Sequence, residues 1–178
     1  MADDSASNGA SRRRFLKLAT CALGGGVGAA VAIPAIRYAI TPIGEKTVSA
    51  ADDPIDALPL EQVKPGAPPL QVTLVAPVQR DGWAAVKNVP LGAAWIRRDT
   101  GGTLTALSAV CPHLGCAVGF DGKQYVCPCH DSTFALDGAV QAGPSKRGLD
   151  PLPFEVVEGR LRIAWVRYRL GGPDREKA

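Results

Sequence analysis

The chain has 178 residues, of which 46% are hydrophobic and 21% charged, a composition that excludes a wholly disordered or collagen-like protein. This length suits one compact domain with an additional anchor or tail. Five basic residues against two acidic ones in positions 1–43 account for the whole net charge of +3. The remainder of the chain is therefore neutral, which gives no electrostatic reason to expect nucleic acid as a partner.

The first predicted element is a membrane segment. Residues 11–17, Ser-Arg-Arg-Arg-Phe-Leu-Lys, resemble a twin-arginine export signal, and an apolar run follows from Leu18 to Ile36. As a helix this run would be about 28 Å long, close to the hydrocarbon thickness of a bilayer. We expect residues 1–17 to be cytoplasmic and residues 18–43 to remain as an uncleaved anchor. Small residues at 30–32 and 48–50 also fit a cleavage site, so processing stays open.

The chain after the anchor divides into three predicted parts. Residues 44–69 are polar and interrupted by prolines, which favours a flexible tether. Residues 70–170 contain short alternating strands, including one at 70–75 and a terminal hairpin around Glu158-Gly159, and they predict a small all-β sandwich or barrel. Residues 171–178 read as a frayed tail.

Both histidines and four of the five cysteines lie between positions 111 and 130. They form two segments, Cys-Pro-His-Leu-Gly-Cys at 111–116 and Cys-Pro-Cys-His-Asp-Ser at 127–132. Each segment offers a cysteine and a histidine that could converge on one metal ion or on a small cluster. The remaining pair, Cys116 and Cys129, could close as a disulfide, which suits an exported domain. The residues alone leave a Cys₂His₂ zinc site and a plain disulfide scaffold as alternatives.

These two segments resemble the ligand boxes of Rieske [2Fe–2S] proteins, in which two histidines replace two cysteines on one iron. The resemblance implies Cys111 and Cys127 as ligands of one iron, His113 and His130 as ligands of the other, and a disulfide between Cys116 and Cys129. It also implies an all-β Rieske-type fold with cluster-binding loops. Further residues around the cluster would be Leu114, Ser132, Phe134, Gly143 and Pro144.

Charge explains what histidine ligation does. Two ferric ions and two sulfides carry +2, so four thiolates make the oxidised site anionic, whereas two thiolates and two imidazoles leave it neutral. A neutral site accepts an electron more readily, and the imidazoles add a site for a proton. Phe134 occupies a position where many quinol-oxidising relatives have tyrosine, and Asp131 replaces the usual glycine. Both differences predict a potential in the lower part of the family's range.

The resemblance implies the iron–sulfur subunit of a cytochrome bc-type quinol:cytochrome c oxidoreductase. In that role His130, with His113 beside it, would meet quinol at a cytochrome b-type subunit, and the electron would pass to a c-type cytochrome. We expect a single-pass subunit of a dimeric complex in a bacterial inner membrane, with its cluster domain on the periplasmic side. The alternative is an electron-relay subunit of another exported oxidoreductase, such as arsenite oxidase. The export signal disfavours a soluble Rieske ferredoxin.

Overall fold

The computed structural model describes residues 4–43, 53–80 and 83–178, with side chains from Arg12 onward. The possible cleavage sequence at 48–50 and the first part of the predicted tether, residues 44–52, lie outside the described residues. The chain divides into two units, Met1–Lys46 and Thr47–Ala178.

The first unit is a single helix, α1 (Asp4–Ile40). Its residues Arg12–Ile40 are long and apolar enough to cross a membrane, as predicted. An α-helix suits this environment because all its backbone hydrogen bonds are made within the segment.

The described residues of the second unit form antiparallel strands in three sheets, which confirms the all-β prediction, although β2 and β3 are longer than the short strands expected, with 11 and 14 residues. The strand orders are β1-β10-β9, β2-β3-β4 and β5-β6-β7-β8. The bounds are β1 (Ile55–Pro59), β2 (Leu70–Arg80), β3 (Ala85–Arg98), β4 (Leu104–Ser108), β5 (Gly119–Phe120), β6 (Tyr125–Cys127), β7 (Ser132–Phe134), β8 (Val140–Ala142), β9 (Phe154–Val157) and β10 (Arg160–Ile163). The predicted turn at Glu158-Gly159 joins β9 to β10, with both residues at positive φ.

The predicted boundary between tether and domain at residue 70 is wrong. Strand β1 pairs with β10, with Ile55 opposite Ile163 and Pro59 opposite Arg160. Ile55 and Leu58 are buried in the domain core, and a 3₁₀ turn at Leu60–Gln62 follows. Five residues ending in proline are too few to show strand periodicity in the sequence, so only the pairing with β10 reveals this strand.

The predicted frayed tail is also paired. The Arg169 N–H donates to the Glu176 carbonyl at 2.8 Å, and the Ala178 N–H donates to the Arg167 carbonyl at 2.9 Å. Tyr168 and Lys177 form an isolated antiparallel bridge. Residues 167–178 therefore form a hairpin, called the C-terminal hairpin below.

The buried apolar side chains form two clusters. One lies at the first two sheets and includes Leu74, Ile96, Leu161 and Trp165. The other combines strand residues with the two cysteines that were predicted to bind metal: Trp95, Leu107, Ala109, Cys111, Val118, Tyr125, Cys127, Phe134 and Leu149. The predicted cluster-binding segments are thus built directly onto a hydrophobic core.

Candidate metal centre

The first cysteine–histidine segment, loop 1 (residues 111–116), lies between β4 and β5. It is closed by its own backbone: the Cys111 N–H donates to the Cys116 carbonyl at 2.8 Å, and the Gly115 N–H donates to the Cys111 carbonyl at 2.9 Å. A bridge between Val110 and Ala117 joins its two ends. Loop 1 therefore holds its cysteine and its histidine on one compact turn.

The second segment, loop 2 (residues 127–132), is the turn of the β6–β7 hairpin, with Cys127 paired to Ser132. Asp131 has a φ of 54°. This left-handed backbone favours glycine, and aspartate is among the residues that tolerate it best. The positive φ at this position therefore explains why the family pattern has glycine where this chain has Asp131.

The two predicted thiol ligands are buried side by side. Cys111 and Cys127 are each 1% exposed. Burial raises the pKa of the Cys111 thiol, the backbone N–H groups of His113 and Leu114 lower it, and the neighbouring Cys127 raises it again. The same N–H groups would donate hydrogen bonds to the Cys111 sulfur if this cysteine bound a metal as a thiolate.

The two predicted imidazole ligands lie further out. His113 is half-buried and His130 is exposed. Their ring centroids are 4.9 Å apart, and the ring planes meet at 84°. The site thus places thiols toward the core and imidazoles toward solvent.

The predicted disulfide between Cys116 and Cys129 is present, with a Cα–Cα distance of 6.5 Å. It joins loop 1 to loop 2 covalently. The sulfur atoms of Cys116, Cys127 and Cys129 lie within 4.8 Å of one another, so the disulfide packs beside one of the predicted ligand thiols. Since two of these sulfurs are bonded to each other, only Cys127 of the three can supply a thiolate.

Residues 143–147 cover loop 2 and are called the covering segment. Gly143 has a φ of 89°, and a Cβ on it would overlap Ser132 Cα and stand 2.7 Å from Ser132 N. The Ser132 hydroxyl is buried and accepts a hydrogen bond from the Ser145 N–H at 3.2 Å. Its own proton stays available for a further acceptor, as its implied role beside a cluster requires.

The other predicted residues divide by exposure. Phe134 is fully buried, whereas Leu114 is 61% exposed and Pro144 is also exposed.

Sequence reasoning missed Tyr125, which faces Phe134 across the β6–β7 ladder. Its hydroxyl is buried with no hydrogen-bond partner among the described residues, and burial raises its pKa to about 12. Tyr125 packs at 5.5 Å from Trp95, measured between ring centroids. The sequence could have indicated this residue, because side chains alternate along a strand and Tyr125, two positions before Cys127, therefore lies on the same face as that cysteine.

The residues present fit an iron–sulfur cluster with mixed ligands. The two thiols lie beside each other, the two imidazoles lie beside each other, and both pairs are drawn from two loops that a disulfide joins. Buried thiols with N–H donors nearby are suited to hold a sulfur-rich group. The family described as Rieske [2Fe-2S] domain matches residues 61–153, which contain both loops. A second family, described as the ubiquitinol-cytochrome C reductase Fe-S subunit TAT signal, matches residues 2–37.

Curated relatives match along most of the chain. A menaquinol:cytochrome c reductase iron-sulfur subunit from Geobacillus thermodenitrificans is 30% identical over 165 residues, covering 89% of this chain and 94% of the relative. The subunit of the same name from Bacillus subtilis (strain 168) is 28% identical, covering 91% and 96%. Among solved structures, a chain of a hyperthermophilic respiratory Complex III has a TM-score of 0.45 and 22% identity, covering 79% of this chain and 98% of that chain.

Proposed function

The chain belongs to the Rieske [2Fe–2S] family, and we propose that it is the iron–sulfur subunit of a cytochrome bc-type quinol:cytochrome c reductase. One observation carries this proposal: the relatives with the names of such subunits match about nine-tenths of this chain. Residues 53–178 are a smaller share of the chain, so the match must include part of the N-terminal segment as well as the domain. The cofactor is one [2Fe–2S] cluster, so the zinc and plain-disulfide alternatives are wrong.

Cys111 and Cys127 are the proposed ligands of the inner iron, and His113 and His130 those of the outer iron. The burial of the thiols and the outward position of the imidazoles support this division. When bound, the cluster supplies a one-electron centre whose potential is raised by its histidine ligands.

His130 is the proposed contact with quinol because it is the more exposed imidazole. With one ring nitrogen engaged as a ligand, the other ring nitrogen carries the exchangeable N–H proton; once that proton has dissociated, this nitrogen can accept the hydrogen bond of a quinol hydroxyl and then take up its proton. His113, whose ring meets that of His130 nearly at right angles, shares the apolar tip formed with Leu114.

The proposed partners follow from this role. The tip with Leu114 would dock on a cytochrome b-type subunit, and the reduced domain would pass its electron to a c-type cytochrome within a dimeric complex. The spanning helix and the export signal indicate a membrane-anchored, exported domain. Four basic residues before the apolar run, Arg12, Arg13, Arg14 and Lys17, favour a cytoplasmic N-terminus and hence a periplasmic cluster domain.

An EPR redox titration of membranes with and without a quinol-site inhibitor tests the proposal. We expect a Rieske spectrum whose shape or midpoint shifts with the inhibitor. We also expect Leu114→Asn to abolish that shift, whereas Val156→Asn, which changes an exposed apolar residue on β9, leaves it intact. A Rieske spectrum that ignores the inhibitor in the unaltered protein would instead indicate a relay subunit of another oxidoreductase.

A further inference from the structure

Arg147 is a buried cation to which the proposed function assigns no role. Its side chain is 4% exposed and pairs with Asp150 through two hydrogen bonds of 2.9 Å. Two more N–H groups donate at 2.8 Å to the carbonyls of Arg169 and Gly172. Four of its five N–H donors thus have partners among the described residues, which suits a desolvated guanidinium because a buried unpaired charge is strongly destabilising.

The two carbonyls that Arg147 binds belong to the C-terminal hairpin, and this hairpin holds loop 1. The Gly171 N–H donates to the Pro112 carbonyl at 2.9 Å. Leu170 lies against Gly115, where an added Cβ would meet its Cδ1 at 2.9 Å. The backbone of loop 1 is therefore hydrogen-bonded to a hairpin that Arg147 holds to the domain, together with the contact of the exposed Arg175 with Asp150 and the hydrogen bond from the Tyr168 hydroxyl to the Pro151 carbonyl.

Arg147 is also fastened to the segment that covers loop 2. The Ser145 hydroxyl donates to the Arg147 carbonyl at 2.8 Å, and the Ser145 N–H donates to the Ser132 hydroxyl. Asp150 is in turn held to β4, because its carbonyl accepts from the Ser108 N–H at 2.8 Å. A continuous series of hydrogen bonds thus runs from Ser132 through Arg147 to loop 1.

We propose that Arg147 is a positioning residue that forms a second, non-covalent tie between the two cluster-binding loops, in parallel with the disulfide. Loop 1 carries His113 and loop 2 carries His130, so this tie holds the two imidazoles at their spacing. The inference rests on the proposed ligands and does not depend on quinol oxidation. Lysine cannot replace arginine here, because one ammonium group cannot reach a bidentate carboxylate and two further carbonyls.

The test measures how fast the cluster is lost from the detergent-solubilised, cluster-loaded full chain, followed by visible absorbance, before and after a thiol reductant opens the disulfide. With the disulfide open, we expect Arg147→Gln to lose the cluster at least about tenfold faster than the unaltered protein, since charge-assisted hydrogen bonds are broken. Arg147→Lys should not restore retention. With the disulfide intact, the difference should shrink to a few-fold at most.

Lys146→Gln is the matched control, because it removes the same charge from an exposed neighbour and should retain the cluster as the unaltered protein does. A chain that ends at Val166 keeps the Arg147–Asp150 pair but lacks the hairpin. It should lose the cluster at least as fast as Arg147→Gln, because the hairpin's other ties to the domain are removed as well. Adding Arg147→Gln together with Asp150→Asn, which leaves no unpaired buried charge, should change nothing further. Arg147→Gln alone and the truncation alone should each also broaden the EPR lines of the reduced protein, because the spacing of the two imidazoles is then less uniform.

With the disulfide open, equal loss rates in Arg147→Gln and the unaltered protein would overturn the proposal. Faster loss when Arg147→Gln and Asp150→Asn are added to the truncated chain would also overturn it. If Arg147→Gln does not fold, the truncated chain decides alone, and retention at the unaltered rate would overturn the proposal. The rate of cluster loss is measured without quinol, so this test is independent of the proposed function. If Arg147→Gln accelerates the loss as expected but the EPR signal in membranes does not respond to the inhibitor, the proposed function is rejected and this inference stands.

Discussion

Replacing Gly143 by alanine adds one methyl group at a tight contact between the covering segment and loop 2. The new Cβ would overlap Ser132 Cα and stand 2.8 Å from the Ser132 hydroxyl oxygen. Two costs follow. Alanine must adopt a φ of 89°, and the covering segment must move away from Ser132.

The backbone cost is about 1–2 kcal/mol for a residue other than glycine in this region. Overpacking against backbone atoms that cannot rotate away adds about 1–3 kcal/mol. The expected loss in the free energy of unfolding is therefore about 2–5 kcal/mol. The hydrogen bond from the Ser145 N–H to the Ser132 hydroxyl should break as the segment shifts.

Gly122 provides a matched control. Its φ is 100°, yet a Cβ there would have nothing within 4 Å. Gly122→Ala should thus show the backbone cost alone, about 1–2 kcal/mol. Denaturant unfolding of both variants, followed by circular dichroism and by visible cluster absorbance, separates the two costs. Equal destabilisation by the two substitutions would refute the claim that the covering segment packs tightly on Ser132.

Substitutions at three further positions test the surroundings of the cluster. Phe134→Tyr should raise the midpoint potential in an EPR titration by about 40 mV, the equivalent of one hydrogen bond of about 1 kcal/mol to a ligand sulfur; an unchanged midpoint would mean that Phe134 acts through packing only. Asp131→Gly should relieve the strain of the positive φ and stabilise the domain by about 0.5–1 kcal/mol in denaturant unfolding. Asp131→Asn removes the negative charge and keeps the size of the side chain. A rise in midpoint potential in both variants would identify the carboxylate as its cause. Burial raises the pKa of Tyr125 to about 12 from 10.0, so the stability it contributes is complete below pH 10 and is lost as the pH rises toward 12. Tyr125→Phe should remove this alkaline loss, about 1.4 kcal/mol at pH 11 in denaturant titrations, and identical pH profiles would contradict the assignment.

Local spacing predicted which cysteines and histidines could converge on a metal or a cluster, and the resemblance of the two boxes implied the [2Fe–2S] cluster. Loop 1 and loop 2 are short turns, and each brings its cysteine and histidine together through a few residues that the sequence shows directly. The disulfide between Cys116 and Cys129 was predicted through the resemblance of the same boxes and is present. The strand that begins at Leu70 and the hairpin around Glu158-Gly159 were also recognisable, because side-chain alternation and turn residues are local properties.

Contacts between segments distant in sequence could not be predicted. Strand β1 is a strand because β10, more than 100 residues later, offers it an edge. The polar residues 167–178 give no local sign of order, yet Arg147 satisfies two of their carbonyls. The resemblance placed Gly143 near the cluster, but its close contact with the backbone of Ser132 is visible only in the folded structure. Local spacing thus specifies which groups can bind the cluster, whereas long-range hydrogen bonding and close packing specify what holds those groups in place, because such interactions depend on the folded path of the whole chain.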